Sequence, residues 1–423
     1  MNIWFVSIFE NTPLDDNQNT RYNSLVNESV ARGYKVTFWA STFRHNIKQQ
    51  RFDKTHTEVI NESLKVIFVA SKAYQKNISL SRLRSHFHLA KEMVRVFGYE
   101  ELKPDLIVNA FPPVSVAKEV SDWANRNQIP YIMDVIDPWP DVFRTHIKMV
   151  PKFITDLVLN PLDKGVKMTV RNADAILGIS NQYVEWAKSH TSEPKESRCY
   201  YPAVQFENMQ QELKRAAEKS AMDGEQNCPF EIIYAGSLGY SYDINAILKA
   251  AEMLENRCGG EIHFTIAGDG PQKEKVKTYQ ALHNNLTYVG RVPKEELMEL
   301  YHKADMGMTQ HSKGATQSVT YKLFDLLACG LPILNSLESE MKDIIVKNKV
   351  GLHNNPGDAA KLAENILYCY NNREELHDMK KRAITLTKEL GDSEKVYSEA
   401  LDFFETFQTG KDGVRQIEKE TTT

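Results

Sequence analysis

Three glycine-bearing turns, each following an apolar run, hold the residues of this 423-residue chain best suited to a phosphorylated ligand. The first reads Tyr234-Ala235-Gly236-Ser237-Leu238-Gly239, and the second Ile266-Ala267-Gly268-Asp269-Gly270-Pro271. Glycines placed after a strand let the backbone approach a ligand closely, and the helix that follows opens with unpaired N–H groups. Each turn alone serves equally well as a tight strand-to-helix connection. The third stretch, Gln310 to Gly330, is longer, polar and glycine-containing, and it predicts a helix opening near Val319. Such an opening, with Ser318, Thr320 and Tyr321 around it, offers free donors and the positive dipole end to a diphosphate. Asp325 lies four residues beyond Tyr321 on the same helix face and can accept hydrogen bonds from ribose hydroxyls. Leu323, Leu326 and Leu327 face a core, and Gly330-Leu331-Pro332 closes the helix.

Short apolar runs alternating with amphipathic stretches must position these turns, which is the signature of parallel α/β structure. Strands are expected at Ile3–Ile8, Lys35–Ala40, Leu64–Val69, Leu106–Asn109, Tyr131–Val135 and Ala175–Ile179. A helix from Arg21 to Arg32 is closed by Gly33. Residues 205–228, rich in Glu, Lys, Gln and Ala, read as a connector, either a helix or a mobile loop. Winding restarts at Phe230–Tyr234 and continues through Ile262–Ala267, Leu286–Val289, Met306–Thr309 and Pro332–Asn335. The expected architecture is thus two Rossmann-like, doubly wound parallel-sheet domains, 1–204 and 229–390, facing an interdomain cleft. A last amphipathic helix within 391–409, apolar at Val396, Tyr397, Ala400, Leu401, Phe403 and Phe404, is expected to pack back on the first domain. Residues 410–423 are polar and expected to be disordered.

Composition limits the function. Hydrophobic residues make up 42% and charged residues 26%, and the net charge is -4. That balance argues against nucleic acid as the main partner. Residues 1–203 carry a net of +4 and the rest a net of -8, so the first half suits an anionic surface or substrate, unless the asymmetry is chance. The five cysteines, Cys199, Cys228, Cys258, Cys329 and Cys369, form no CxxC pair and read as isolated thiols in a reducing compartment. Neither a signal peptide nor a spanning segment is read from the sequence, so a cytoplasmic protein with any membrane contact peripheral is expected.

The turns and their spacing resemble retaining family 4 glycosyltransferases of the GT-B fold, of the bacterial surface-polysaccharide type. The matching residues are Gly236-Ser237-Leu238, Ala267-Gly268-Asp269-Gly270-Pro271, Tyr288-Val289-Gly290-Arg291-Val292, Leu300-Tyr301-His302-Lys303-Ala304-Asp305, and Asp325 through Ile333. In the first half, Lys103-Pro104-Asp105-Leu106-Ile107-Val108, Asp134 to Asp141 and Arg171-Asn172-Ala173-Asp174-Ala175-Ile176 are similar to further family stretches. The resemblance implies a nucleotide sugar donor, UDP favoured over GDP, held by the second domain, and a glycan or polyprenyl-linked acceptor held by the first. It implies transfer with retention and without a metal or other cofactor: the acceptor hydroxyl attacks as the diphosphate leaves, and a phosphate oxygen takes the proton.

Gln317 stands where the family has a glutamate, and the uncharged Ser237 and Tyr242 stand where many members place an arginine and a lysine on the diphosphate. Lys322, Arg291 and Lys313 are the candidates to supply that charge, Lys322 first because it matches a lysine of the surface-polysaccharide subgroup. Asp137, after the fifth strand, is a candidate for the acceptor hydroxyl or donor sugar, or else a turn residue before Pro138. Asn11 and Arg21 are expected on the acceptor side, and Asp15-Asp16 at the surface. Basic amphipathic stretches, 81–97 and 148–171, suit an anionic lipid surface or are ordinary domain helices. Two other readings stay open: a non-catalytic GT-B subunit supporting a partner transferase, and a sugar-nucleotide epimerase.

Overall fold

Runs such as Asn2-Ile3-Trp4-Phe5-Val6 and Leu106–Phe111 are buried at every position, as parallel strands covered on both faces must be. The computed structural model describes residues 1–15, 20–77, 79–146, 151–222 and 229–408. The chain divides into two units: Met1–Tyr200 with the chain from Glu394, and Tyr201–Ser393.

The first unit carries β1 (Asn2–Val6), α1 (Arg21–Ala31), β2 (Lys35–Ser41), the short β3 (Phe43–Arg44) and β4 (Gln49–Gln50), β5 (His56–Asn61) and β6 (Leu64–Val69). It continues through α2 (Leu80–Tyr99), β7 (Leu106–Phe111), α3 (Val114–Arg126), β8 (Tyr131–Val135), α4 (Asp141–His146), α5 (Lys152–Asn172), β9 (Ala175–Gly178), α6 (Asn181–Lys188) and β10 (Glu196–Cys199). Its sheet has the order β10-β9-β8-β7-β1-β2-β6-β5. Only the edge strand β5 runs antiparallel in it, and β5 is also largely exposed, as an edge with one solvated face allows. At the centre Trp4 stacks on Trp123 with ring centroids 5.7 Å apart and meets Trp39 at 4.9 Å.

The second unit carries α7 (Phe206–Met222), β11 (Phe230–Ala235), α8 (Ile244–Cys258), β12 (Ile262–Ala267), α9 (Lys273–Leu282), β13 (Leu286–Gly290), α10 (Lys294–Lys303) and β14 (Met306–Thr309). Then come α11 (Lys322–Ala328), β15 (Ile333–Asn335), α12 (Glu340–Lys347), β16 (Gly351–His353), α13 (Ala359–Asn371) and α14 (Arg373–Leu390). Its six strands are all parallel, in the order β13-β12-β11-β14-β15-β16. The last helix among the described residues, α15 (Ser393–Glu405), returns to the first unit. There its six apolar residues are buried, with Phe404 against Phe5. Arg32 holds Asp402 at 2.6 Å and Glu405 at 3.0 Å.

Three local expectations change. The segment expected as a connector contains α7, a full member of the second unit. Its apolar residues are few, but Phe206, Met209, Leu213 and Ala216 recur at helical spacing and make one stripe that packs on the core. The helix expected to open near Val319 begins at Lys322. Before it, Ser318 and Thr320 are pinned sideways, the Ser318 carbonyl by the Ser339 hydroxyl and Thr320 Oγ1 by Met341 Sδ. Asp15 is buried rather than at the surface, because Arg51 binds it at 2.5 Å and the Thr12 amide at 2.8 Å. Asp16, Cys228 and the tail 410–423 lie outside the described residues. Cys258, Cys329 and Cys369 are free thiols. No helix among the described residues is long and apolar enough to cross a membrane.

Candidate functional site

In the second unit the glycine turns meet at the carboxyl ends of β11, β12 and β13. The Gly236 amide donates to Ala267 O at 2.9 Å, the Gly268 amide to Gly290 O at 2.6 Å, and the Leu238 amide to Asp269 O at 2.9 Å. These turns require glycine. Gly236 and Gly268 sit at φ of 144° and 145°, a Cβ on Gly268 would collide with Gly236 O, and one on Gly236 would collide with the end of Lys322. The loop after β14 joins the same set, with the Ser312 amide on Ser241 O at 2.9 Å and the Asp243 amide on Gln310 O at 3.2 Å.

Lys322, the first residue of α11, folds its ammonium into this cluster. Its Nζ lies 4.3 Å from the Tyr234 ring centroid and 4.4 Å from that of Tyr242. Nζ is shut off from solvent and has no hydrogen-bond partner. Burial lowers the lysine to about 8, with Asp325 pulling the other way. Two aromatic faces offset part of the desolvation, but an ammonium without an acceptor is a costly arrangement. A bound anion would complete it.

His311 lies beside Tyr242, ring centroids 5.0 Å apart. Its Nδ1 lies 3.2 Å from Thr309 O and its amide donates to Ser336 Oγ at 2.7 Å. Burial first, then the Lys322 charge, push it down to about 4, so the ring is neutral near pH 7. A carbonyl on Nδ1 fixes the proton there and leaves Nε2 as an acceptor, and Nε2 is buried without a partner. Gln317 Oε1, in the same loop, is likewise buried and unpaired. The sequence does not mark His311, and it does not show Tyr234 and Tyr242 as a pair. The available signal was a histidine two residues past a strand end, in a loop already suspected of binding.

The other candidates fall into place around this group. Asp325 is partly buried, and burial raises it to about 6 against the pull of Lys322 and Lys294. Its carboxylate makes no hydrogen bond among the described residues. Ser237 is exposed and its hydroxyl turns back on the Gly239 amide. Ser318 is buried, and Tyr321 is 39% exposed at the head of α11. Arg291 and Lys313 are exposed and make no ion pair among the described residues, so the structure does not place them with Lys322. Among the described residues no three His, Cys, Asp or Glu side chains gather as a metal set.

The first unit corrects one candidate. Arg21 is buried in the core, its Nε and a terminal nitrogen gripping Asp134 at 2.8 and 3.0 Å and the other terminal nitrogen donating to Tyr200 O at 2.6 Å. It ties α1 to β8 and to the segment after β10, and has no free face for an acceptor. Asn11 is partly exposed in the loop after β1. Beside it Glu10, which accepts from the Tyr22 amide, is raised by burial to about 7. Asp137 accepts from Trp139 Nε1 at 2.8 Å and so sets the angle of that indole.

Residues 217–386 match the family described as Glycosyl transferases group 1. The amylovoran biosynthesis glycosyltransferase AmsK of Erwinia amylovora is 27% identical over 145 residues, 33% of this chain and 35% of that protein. The chain thus spans about a third of that relative's length in alignment. Among solved structures, sucrose-phosphate synthase from Thermosynechococcus elongatus superposes with a TM-score of 0.69 at 16% identity, over 96% of this chain and 98% of that one. HepE of Anabaena, in complex with UDP-glucose, gives a TM-score of 0.63 at 12% identity, over 96% and 100%. Two Rossmann-like units with these neighbours establish the GT-B fold.

Proposed function

We propose that the chain is a retaining glycosyltransferase that moves a sugar from a UDP-sugar to a glycan or lipid-linked acceptor in cell-surface polysaccharide synthesis. It would act in the cytoplasm, with any membrane contact peripheral. The observation that carries the reading is the unpartnered Lys322 ammonium held between Tyr234 and Tyr242 against the Gly236 turn. A diphosphate on that turn would receive the ammonium and the turn's backbone donors where charge develops on the leaving group. This also accounts for the uncharged Ser237 and Tyr242: the cation reaches the Tyr242 ring from α11 instead. Asp325 would take the ribose hydroxyls, and His311 Nε2 would accept from a sugar hydroxyl. As the anomeric C–O bond to the phosphate breaks, the acceptor oxygen bonds the same face and its proton passes to the departing phosphate oxygen. UDP is favoured because HepE is solved with UDP-glucose and AmsK is named for polysaccharide biosynthesis; GDP remains the other base to test.

Calorimetric titration of the full chain with UDP and GDP, followed by donor hydrolysis or transfer, tests the reading. UDP should bind with a Kd below about 1 mM, roughly 4 kcal/mol of affinity. No nucleotide bound at that concentration would end it. Gln317, neutral where a carboxylate would stabilise a cationic sugar, favours a second reading, a nucleotide-sugar-binding subunit without turnover. Binding with neither hydrolysis nor transfer would select that one.

A further inference from the structure

The first unit contains a cavity of 340 Å³ at the carboxyl ends of β6, β7 and β8, a volume within the range of small-ligand sites. Its wall is apolar: Leu83 of α2, Val114 of α3, Phe143 of α4, and Leu159 and Leu162 of α5. Into this wall are set three polar side chains at least nine-tenths buried, Arg82, His86 and Ser115, 9%, 4% and 6% exposed. Each keeps an atom without a partner: Arg82 Nε, His86 Nε2 and Ser115 Oγ.

Arg82 is always charged, yet no carboxylate lies within ion-pair distance of it among the described residues. It spends one terminal nitrogen on Asn77 O at 2.6 Å, meets the Tyr74 hydroxyl, and lies over the Trp139 ring, 4.6 Å from its centroid; its Nε is the atom left open. Arg82 and His86 are one turn apart and share a face of α2. Ser115 belongs to the first turn of α3, which opens at the cavity with Pro113 as its N-cap and no side-chain cap bond. A cation, a helix start with uncapped amides and two unpaired neutral groups suit one small anion. None of this suits the hydrocarbon wall beside it, so the ligand must have both characters.

The wall also runs out to the surface. Leu80, a lining residue of α2, is 73% exposed, and Phe87 continues its stripe at 47%. On α5, Val158 and Ile154 precede the lining Leu162 at four-residue intervals and are 66% and 39% exposed. Apolar side chains of both helices thus reach solvent from the cavity wall.

We infer that this cavity binds a phosphate-headed lipid, its chain against Leu83, Phe143 and Leu162 and its phosphate on Arg82, Ser115 and the opening of α3. The inference rests on the lipid-linked acceptor reading and assigns that acceptor its site. Asp137, through its bond to Trp139, is a positioning residue for the wall.

The test uses the full chain and three probes, decyl phosphate, decanol and inorganic phosphate, each followed by calorimetry. Decyl phosphate should bind at least about tenfold tighter than either of the others, the factor a charge-assisted hydrogen bond supplies. Decanol binding as tightly would show that no anion is read, inorganic phosphate binding as tightly would show that no chain is, and either overturns the proposal. Leu83→Trp, which fills the mouth, should weaken decyl phosphate by a similar factor, and Arg82→Gln should remove the preference over decanol. Unchanged binding in Leu83→Trp would place the amphiphile elsewhere. The wild-type series needs no variant to fold. UDP affinity measured alongside separates the two readings: UDP bound without decyl phosphate discards the cavity alone, and decyl phosphate bound without UDP discards the donor site alone.

Discussion

Arg21 and Lys322 are both buried cations, and both looked from the sequence like ligand-binding residues. Arg21 is saturated, with Asp134 across two bonds and a carbonyl on the third. Lys322 has aromatic faces around it and no acceptor at all. A buried charge whose bonds are filled is part of the frame, and removing it strands its partner. A buried charge left open weakens the resting fold and is explained only by something that arrives later. Satisfaction of the charge, rather than its residue type or depth, separates scaffold from receptor here.

The contrast predicts opposite results for the two truncations. Arg21→Ala should cost about 3–5 kcal/mol of stability by leaving Asp134 buried and unpaired, read as a fall in the urea midpoint. A midpoint unchanged by that substitution would show that the pair is not structural. Lys322→Ala should leave the midpoint unchanged or higher while cutting sugar turnover about tenfold or more, roughly 1.4 kcal/mol of transition-state stabilisation. Near-wild-type turnover would remove Lys322 from the site. Asp325→Asn should weaken UDP by about fivefold, the size of one hydrogen-bond contribution, with the circular-dichroism melt retained; equal affinity would take the carboxylate off the ribose.

The smallest effect is the pH dependence. The folded value of Lys322, about 8, lies below its ordinary 10.5, so between those values the unfolded chain holds the extra proton. Stability therefore rises with pH across that window through this group, and Lys322→Ala should flatten the rise. UDP affinity should move the other way, falling as the pH passes about 8 and the ammonium is lost. An affinity as flat in the wild type as in Lys322→Ala would separate the lysine from the phosphates.

Much of the scaffold was legible because it is written locally. The buried runs and the glycines after them marked strands and turns from a few neighbouring residues, and Gly236, Gly268 and Gly290 come together because parallel winding brings strand ends to one edge. What was not legible depends on distant partners. Arg21 finds Asp134 across 113 positions, and nothing near residue 21 announces it. Val319 and Thr320 read as a helix opening until the side chains of Ser339 and Met341 hold that stretch off. His311 becomes an acceptor only through the carbonyl of Thr309 on its other nitrogen. The stripe of α7 was hidden by the charged residues between its members.

The route of α15 has a consequence for synthesis. The second unit, Tyr201–Ser393, is threaded between two stretches of the first, so the sheet around Trp4 leaves the ribosome before that unit while the helix that covers Phe5 follows it. For the time needed to translate nearly two hundred residues, the older half waits with an uncovered apolar face, a natural place for a chaperone to hold on. Nascent chains arrested just before Ser393 should therefore be cut faster by protease within the first unit than the finished protein, and equal resistance would show that the sheet is complete without its final helix.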